Sequence, residues 1–161
     1  MKTVLSFTLF TLLSLALPAL PVHAADLDLD KAIKVGSGKV MVIEFTDPDC
    51  PYCRKAEEFF GKRTDVTRYV FMVPLPMHQE AAGKAQYVLS AADAAKAYRD
   101  VMSGSLDGKT PQGVTEKGKN LLEEHRRNAQ KAGVNGMPTF IISGMIIEGL
   151  DMQKMQKVLP P

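Results

Sequence analysis

The sequence predicts an α/β fold with a mixed sheet, on three observations. A strand, a helix and a second strand follow one another across residues 40–73. An Ala-rich helical stretch comes next. A hairpin and a closing helix then end the chain, so a βαβ unit is followed by a ββα unit. The 161 residues suffice for one domain with a sizeable core and hardly for two.

Residues 1–24 read as a secretory signal peptide. Lys2 is the only charge before Asp26, and an apolar stretch runs to Leu20. Pro18 and Pro21 break it, and Val22-His23-Ala24 fits a small-x-small cleavage site. The stretch is short and Pro-containing for a bilayer span, so removal is expected, with no membrane insertion of the mature domain, residues 25–161. Residues 26–34 are expected to form a short leading helix, followed by the turn Gly36-Ser37-Gly38. Val40–Thr46 is nearly all apolar, as in a strand buried on both faces. Asp47-Pro48-Asp49 breaks it, and residues 51–62 read as a helix with Pro51 at its first position, where the missing N–H costs nothing. Cys53, Ala56 and Phe60 share one face of it. Residues 66–73 form the second strand, parallel to the first. Residues 79–102 read as two helices broken near Ser90, and 103–113 as a loop rich in Gly and Pro. Residues 115–131 are a further helix ended by Gly133. Thr139–Ile142 and Met145–Glu148 flank the turn Ser143-Gly144 as a hairpin, and Asp151 caps a last helix.

Composition narrows the function. With 20 Lys+Arg against 18 Asp+Glu the formal charge is +2, too little for a basic nucleic-acid face. At 45% apolar and 24% charged the chain is unlike a disordered one. Cysteine occurs twice, as Cys50 and Cys53, which excludes a multi-bridge scaffold and a four-cysteine metal or iron–sulfur site.

That pair carries the chemistry. Export implies an oxidising compartment, the periplasm of a Gram-negative cell. Two Cys at i and i+3 across a helix start can meet bridging geometry. Cys50 falls at the N-cap, where unpaired N–H groups and the helix dipole favour a thiolate. Cys53 lies one turn in, on the apolar face, as a shielded resolving thiol. Cys50 would attack a substrate disulfide and Cys53 release the mixed disulfide. Three other readings remain. A structural disulfide closes too short a loop to stabilise much. A c-type haem needs His where Arg54 stands. A metal site would have to draw on His78 and His125, and no metal is expected. His78 reads as a solvated loop histidine, His125 as a packed, hydrogen-bonded helix histidine.

Two further positions stand out. Glu44 is an acid inside the apolar strand, costly to bury unless used. It is expected beneath the pair, exchanging a proton with Cys53. Pro138 enters a strand at the cost of a ladder hydrogen bond. The Met137–Pro138 bond is therefore expected to be cis and to lie against the cysteines, where Met137 backbone groups would pair with an extended substrate.

Phe45-Thr46-Asp47-Pro48-Asp49-Cys50-Pro51-Tyr52-Cys53, Val73-Pro74-Leu75-Pro76-Met77-His78 and Gly133-Val134-Asn135-Gly136-Met137-Pro138-Thr139 together resemble the catalytic domain of DsbC/DsbG-type thiol:disulfide interchange proteins. The resemblance runs over nearly all of residues 39–159. It implies a thioredoxin fold with a helical insert at about 79–113, Cys50 as nucleophile, Cys53 as resolving thiol and Pro138 as the cis-Pro of the substrate site. Pro51, Tyr52 and Met137 complete that site. The redox-active Cys50–Cys53 disulfide takes the place of a cofactor. Residues 25–39 leave no room for the family's dimerisation domain, so a monomer is expected. Glu44 looks like the buried acid of thioredoxin and DsbA. The resemblance further implies cysteine-containing exported proteins as clients and a membrane electron donor of the DsbD type. A reductase or isomerase is expected first. A DsbA-like dithiol oxidase and a non-catalytic thioredoxin-fold chaperone or metallochaperone are the alternatives.

Overall fold

Two strands without a solvent face set the architecture. β2 (Val40–Thr46) is buried from Val42 onward, and β3 (Val66–Met72) almost throughout. They pair in parallel, with Val42 opposite Arg68 and Glu44 opposite Val70. The computed structural model describes residues 27–159, so the signal peptide read at residues 1–24 lies outside the described residues. β4 (Thr139–Ile142) runs antiparallel on the other side of β2, and β5 (Met145–Glu148) closes the hairpin at that edge. The sheet order is β1-β3-β2-β4-β5, the mixed sheet that the two predicted units require.

β1 corrects the sequence reading. In place of a helix over 26–34 there is a 3-10 turn at Leu29–Lys31 and a strand at Ile33–Gly36, antiparallel to β3. Its four residues alternate buried and exposed. So short a two-residue period on an edge strand is easily masked by neighbouring helix formers.

The helices cover both faces, which buries the sheet's apolar residues twice over. α1 (Pro51–Phe60) packs Ala56 and Phe60 with Val42, Val66 and Phe140, joined by Met155 of α5 (Met152–Val158). Beside it Val70, Met72 and Cys53 meet Val88 of α2 (Ala81–Ser90) and Tyr98 and Val101 of α3 (Ala94–Met102). α4 (Glu116–Lys131) lies across the opposite face, its C-terminal end at Ala129 joining Ile43, Phe45, Phe71 and Ile141. Asp93 accepts from Lys96 N to start α3, and Thr115 accepts from Gly118 N to start α4. Gly118 has a packing reason inside a helix, because a Cβ there would lie 2.6 Å from Gln86 O of α2. Among the described residues no helix is long and apolar enough to cross a membrane.

His125 is the packed helix histidine expected, and it clamps three elements. Its Nδ1 accepts from Met72 N at 2.8 Å, and Nε2, 2.8 Å from Lys31 O, donates to it. Burial pushes its pKa down to about 4, from 6.5. A proton on Nδ1 would face an N–H, so only the neutral ring fits. The clamp's contribution is therefore complete above pH 6.5 and falls away as pH drops toward 4, a loss of about 3 kcal/mol. In His125→Asn, the amide oxygen can still accept from Met72 N. Acid unfolding followed by circular dichroism should then lose the part of its pH dependence between about 6.5 and 4 that His125 supplies. An unchanged acid-unfolding profile would remove His125 as its source.

Candidate active site

The strand-to-helix turn after β2 places both cysteines. Asp47 breaks the strand, and its backbone serves each sulfur-bearing residue. Its C=O accepts from Cys50 N at 3.2 Å, and its N–H donates to Cys53 Sγ at 3.4 Å. Cys50 is the N-cap of α1 and Pro51 its first residue, as the sequence predicts. The expected N–H cradle around Cys50 Sγ is not there: the sulfur makes no capping bond, and its thiol points at Met137 O, 3.8 Å away. Pro51 has no N–H to offer, and the Cys50 thiol is turned to the Met137 carbonyl instead. Both cysteines are free thiols, Cys50 5% exposed and Cys53 fully buried. Burial pushes the Cys53 thiol far above its usual range, against the Asp47 N–H, which favours the thiolate. Thr46 Oγ1, beside that sulfur, is buried without a hydrogen-bond partner.

The Met137–Pro138 bond is cis and brings Met137 against Cys50. Tyr52, between the cysteines, is 60% exposed with Lys55 Nζ 5.7 Å over its ring. Cys50, Cys53, Pro51, Tyr52, Met137 and Pro138 are thus brought to one place by two segments far apart in sequence.

Glu44 is buried completely, not solvated on an open strand face. No hydrogen bond joins it to Cys53 among the described residues. Its Oε2 accepts from Arg68 Nη1 at 3.0 Å and its Oε1 from the Tyr98 hydroxyl at 3.2 Å. Burial raises its pKa, Arg68 pulling the other way. Tyr98, which donates to Glu44, shares the buried cluster of Cys53, and burial pushes its own pKa up.

Several site residues escaped the sequence reading. His78 is not a solvated loop residue, since its Nδ1 lies 3.0 Å from Asp47 Oδ2, which also accepts from Leu75 N at 2.6 Å. Asp47 therefore ties the loop after β3 to the cysteine turn. Asp49 and Asp107 both hold Arg54 and Lys84, with Lys84 Nζ at 2.6 Å from Asp49 and 2.9 Å from Asp107. Desolvation works against the Lys84 charge, but Asp49, Asp107 and Glu80 outweigh it and raise its pKa. This cluster pins the loop at 103–113 beside Cys50. One signal was legible: Arg68 is a second charge inside a buried strand, set to meet Glu44 once the two strands pair. Among the described residues no group of three or more His, Cys, Asp or Glu is arranged to hold a metal ion.

Residues 26–150 match the thioredoxin-like domain. The chain belongs to the thioredoxin-like domain family. A probable thiol:disulfide interchange protein DsbC of Bordetella avium (strain 197N) is 33% identical over 142 residues, 87% of this chain and 47% of that protein. Its counterpart in Bordetella pertussis (strain Tohama I) is 30% identical over 79 residues, 48% of this chain and 28% of that protein. This thioredoxin-like chain thus spans at most about half the length of these curated relatives. The crystal structure of a disulfide interchange protein from Neisseria gonorrhoeae is 37% identical, covers 82% of this chain and 98% of its own, and superposes with a TM-score of 0.67. A thioredoxin-like oxidoreductase of Silicibacter pomeroyi DSS-3, 21% identical with a TM-score of 0.63 over 80% of this chain and 90% of its own, shares the fold. The DsbC/DsbG-type resemblance read from the motifs is borne out over most of the chain, and with it membership of the thiol:disulfide interchange group.

Proposed function

We propose that this chain is a periplasmic thiol–disulfide oxidoreductase that reduces or isomerises disulfides in exported proteins through Cys50 and Cys53. One observation carries it: Cys50 caps a helix against Met137 beside a cis-proline, with Cys53 buried directly behind it. A Cys50 thiolate attacks one sulfur of a client disulfide. That S–S bond breaks, the other client sulfur leaves as a thiolate and takes a proton, and Cys50 is left in a mixed disulfide. Cys53 loses its proton and attacks Cys50. The client departs reduced by two electrons, and Cys50–Cys53 is the disulfide left behind; no other cofactor is involved. Isomerisation uses the first step twice, with a client thiol displacing Cys50.

The shielding of Cys53 supports its place as the resolving thiol, since it ionises only when a disulfide is at hand to attack. Asp47 N–H and the unpartnered Thr46 hydroxyl stand ready to bond that thiolate. Glu44, which accepts from Tyr98, takes up the proton Cys53 gives up. Tyr52 and the backbone of Met137 and Pro138 hold the client. The pair is re-reduced by a membrane donor of the DsbD type, and the protein works as a monomer.

Equilibration with glutathione redox buffers tests the reading. A reductase predicts a reduction potential near the thioredoxin end of the scale, about −270 mV, and an oxidase one near the DsbA end, about −120 mV. No measurable exchange, with tight metal binding instead, would remove the enzyme reading in favour of a metallochaperone.

A further inference from the structure

Behind the cysteines lies a cluster that their chemistry alone does not require. Arg68 of β3 is 2% exposed and points one nitrogen, Nη1, at two carboxylates. Glu44 Oε2 lies 3.0 Å from it, and Glu57 Oε2 of α1 lies 2.6 Å from it. The Glu57 contact is an ion pair without hydrogen-bond geometry, and that oxygen has no hydrogen-bond partner. The guanidinium is further fixed over the rings of Phe60 and Tyr98, at 5.2 and 5.7 Å. One fixed positive charge thus serves two negative ones in the interior.

With both carboxyls ionised the cluster carries a buried net charge of minus one, which a low-dielectric interior penalises strongly. One shared proton removes that charge. The two sites are not equal. Glu57 keeps 12% of its side chain exposed and lines a cavity of about 170 Å³ together with Arg68 and Arg99, so water can solvate it. Glu44 is wholly enclosed, between Arg68 from β3, Glu57 from α1 and Tyr98 from α3, with apolar Phe140 its neighbour on β4. A proton that enters the cluster, such as the one Cys53 gives up, therefore goes to the enclosed Glu44.

We propose that Glu57 is a positioning residue that competes with Glu44 for Arg68 and so keeps Glu44 able to carry a proton behind Cys53. This deepens the oxidoreductase reading and rests on it for its use, though not for its geometry. The helix that bears the two thiols also bears the charge that sets the protonation of the acid beneath them. The cavity reaches Glu57 and Arg68, the two groups that face Glu44.

Carboxyl ¹³C NMR of Glu44 in the reduced protein tests this directly. In the unsubstituted protein Glu44 should titrate above the ordinary 4.5. Glu57→Gln should lower its midpoint by about one pH unit or more, roughly a tenfold loss of proton affinity. Glu57→Asp, which keeps the charge, should restore most of it. An unmoved midpoint in a folded Glu57→Gln protein overturns the proposal. So does a Glu44 midpoint at or below 4.5 in the unsubstituted protein, a result that needs no variant to fold. The pH profile of exchange with a dithiol substrate is recorded alongside, with Glu44→Gln for comparison. Glu57→Gln should shift that profile toward acid by the same amount. Absence of exchange in the unsubstituted protein would sink the oxidoreductase reading and leave the titration result standing, so the two failures are distinguishable.

Discussion

Cys50→Ser is expected to abolish thiol–disulfide exchange, and Cys53→Ala to leave the first attack intact and strand the protein on its client. The two outcomes follow from position. Cys50 sits at the open end of α1 with its sulfur toward Met137 O, where a client segment would lie. A serine hydroxyl there has no ionised form near neutral pH, so the rate should fall by at least about three orders of magnitude. Cys53 is buried completely, with burial holding it protonated, and it cannot substitute for Cys50 as the attacking group. Without it no second thiol of this protein is there to displace the client from Cys50. Non-reducing electrophoresis and intact-mass measurement should show a one-to-one mixed disulfide in Cys53→Ala and none in Cys50→Ser. Exchange that survives in Cys50→Ser, or a Cys53→Ala protein that forms no adduct with a disulfide substrate, would reverse or remove these assignments.

Arg68→Met is the second large effect, and it acts on stability. Arg68 is the shared counter-charge of Glu44 and Glu57. Desolvation opposes its charge, yet Glu44, Tyr98 and Glu57 outweigh that and hold its pKa above the ordinary value. Methionine fills similar space over Phe60 and Tyr98 but leaves two carboxylates facing each other. Breaking a buried pair from one side costs about 3–5 kcal/mol. The sign of the pH dependence is fixed as well. Glu44 already binds its proton more tightly folded than unfolded, and the substitution strengthens this. The loss should therefore grow as pH rises and shrink as pH falls and Glu44 protonates. Adding Glu44→Gln, which keeps an acceptor for Tyr98, should recover much of the stability at pH 7. Urea denaturation between pH 5 and 8 checks both points. A loss below about 1 kcal/mol, or one indifferent to pH, would mean that water already screens the cluster.

Lys84 and Asp107 show why part of the site was hidden from sequence reading. Each sits in a stretch that reads as ordinary, an Ala-rich helix and a polar loop. Only when α2 and the 103–113 loop fold back on the cysteine turn do they meet Arg54 and Asp49. Asp47 was legible as a strand breaker but not as the residue that bonds Leu75, His78 and, through its backbone, both cysteines. Arg68 was missed for a related reason: a charge in a strand announces a partner without saying which one. β1 was missed because four alternating residues at a sheet edge carry too little period to be recognised.

What the sequence by itself determined is what neighbouring residues determine. The run Val40–Thr46 can only be a strand buried on both faces. Pro51 starts a helix, and that helix start sets Cys50 and Cys53 one turn apart, at an N-cap and on an apolar face. These follow from local sterics, hydrogen bonding and the helical period, which act over a few residues. The tertiary structure decided everything that depends on sheet register and on segments returning from a distance. It set Met137 and its cis-proline against Cys50, and it laid Arg68 between Glu44 and Glu57. It also turned a lone acid in a strand into half of a shared charge. Electrostatic and packing energies of that kind exist only between groups that the fold has already brought within a few ångströms.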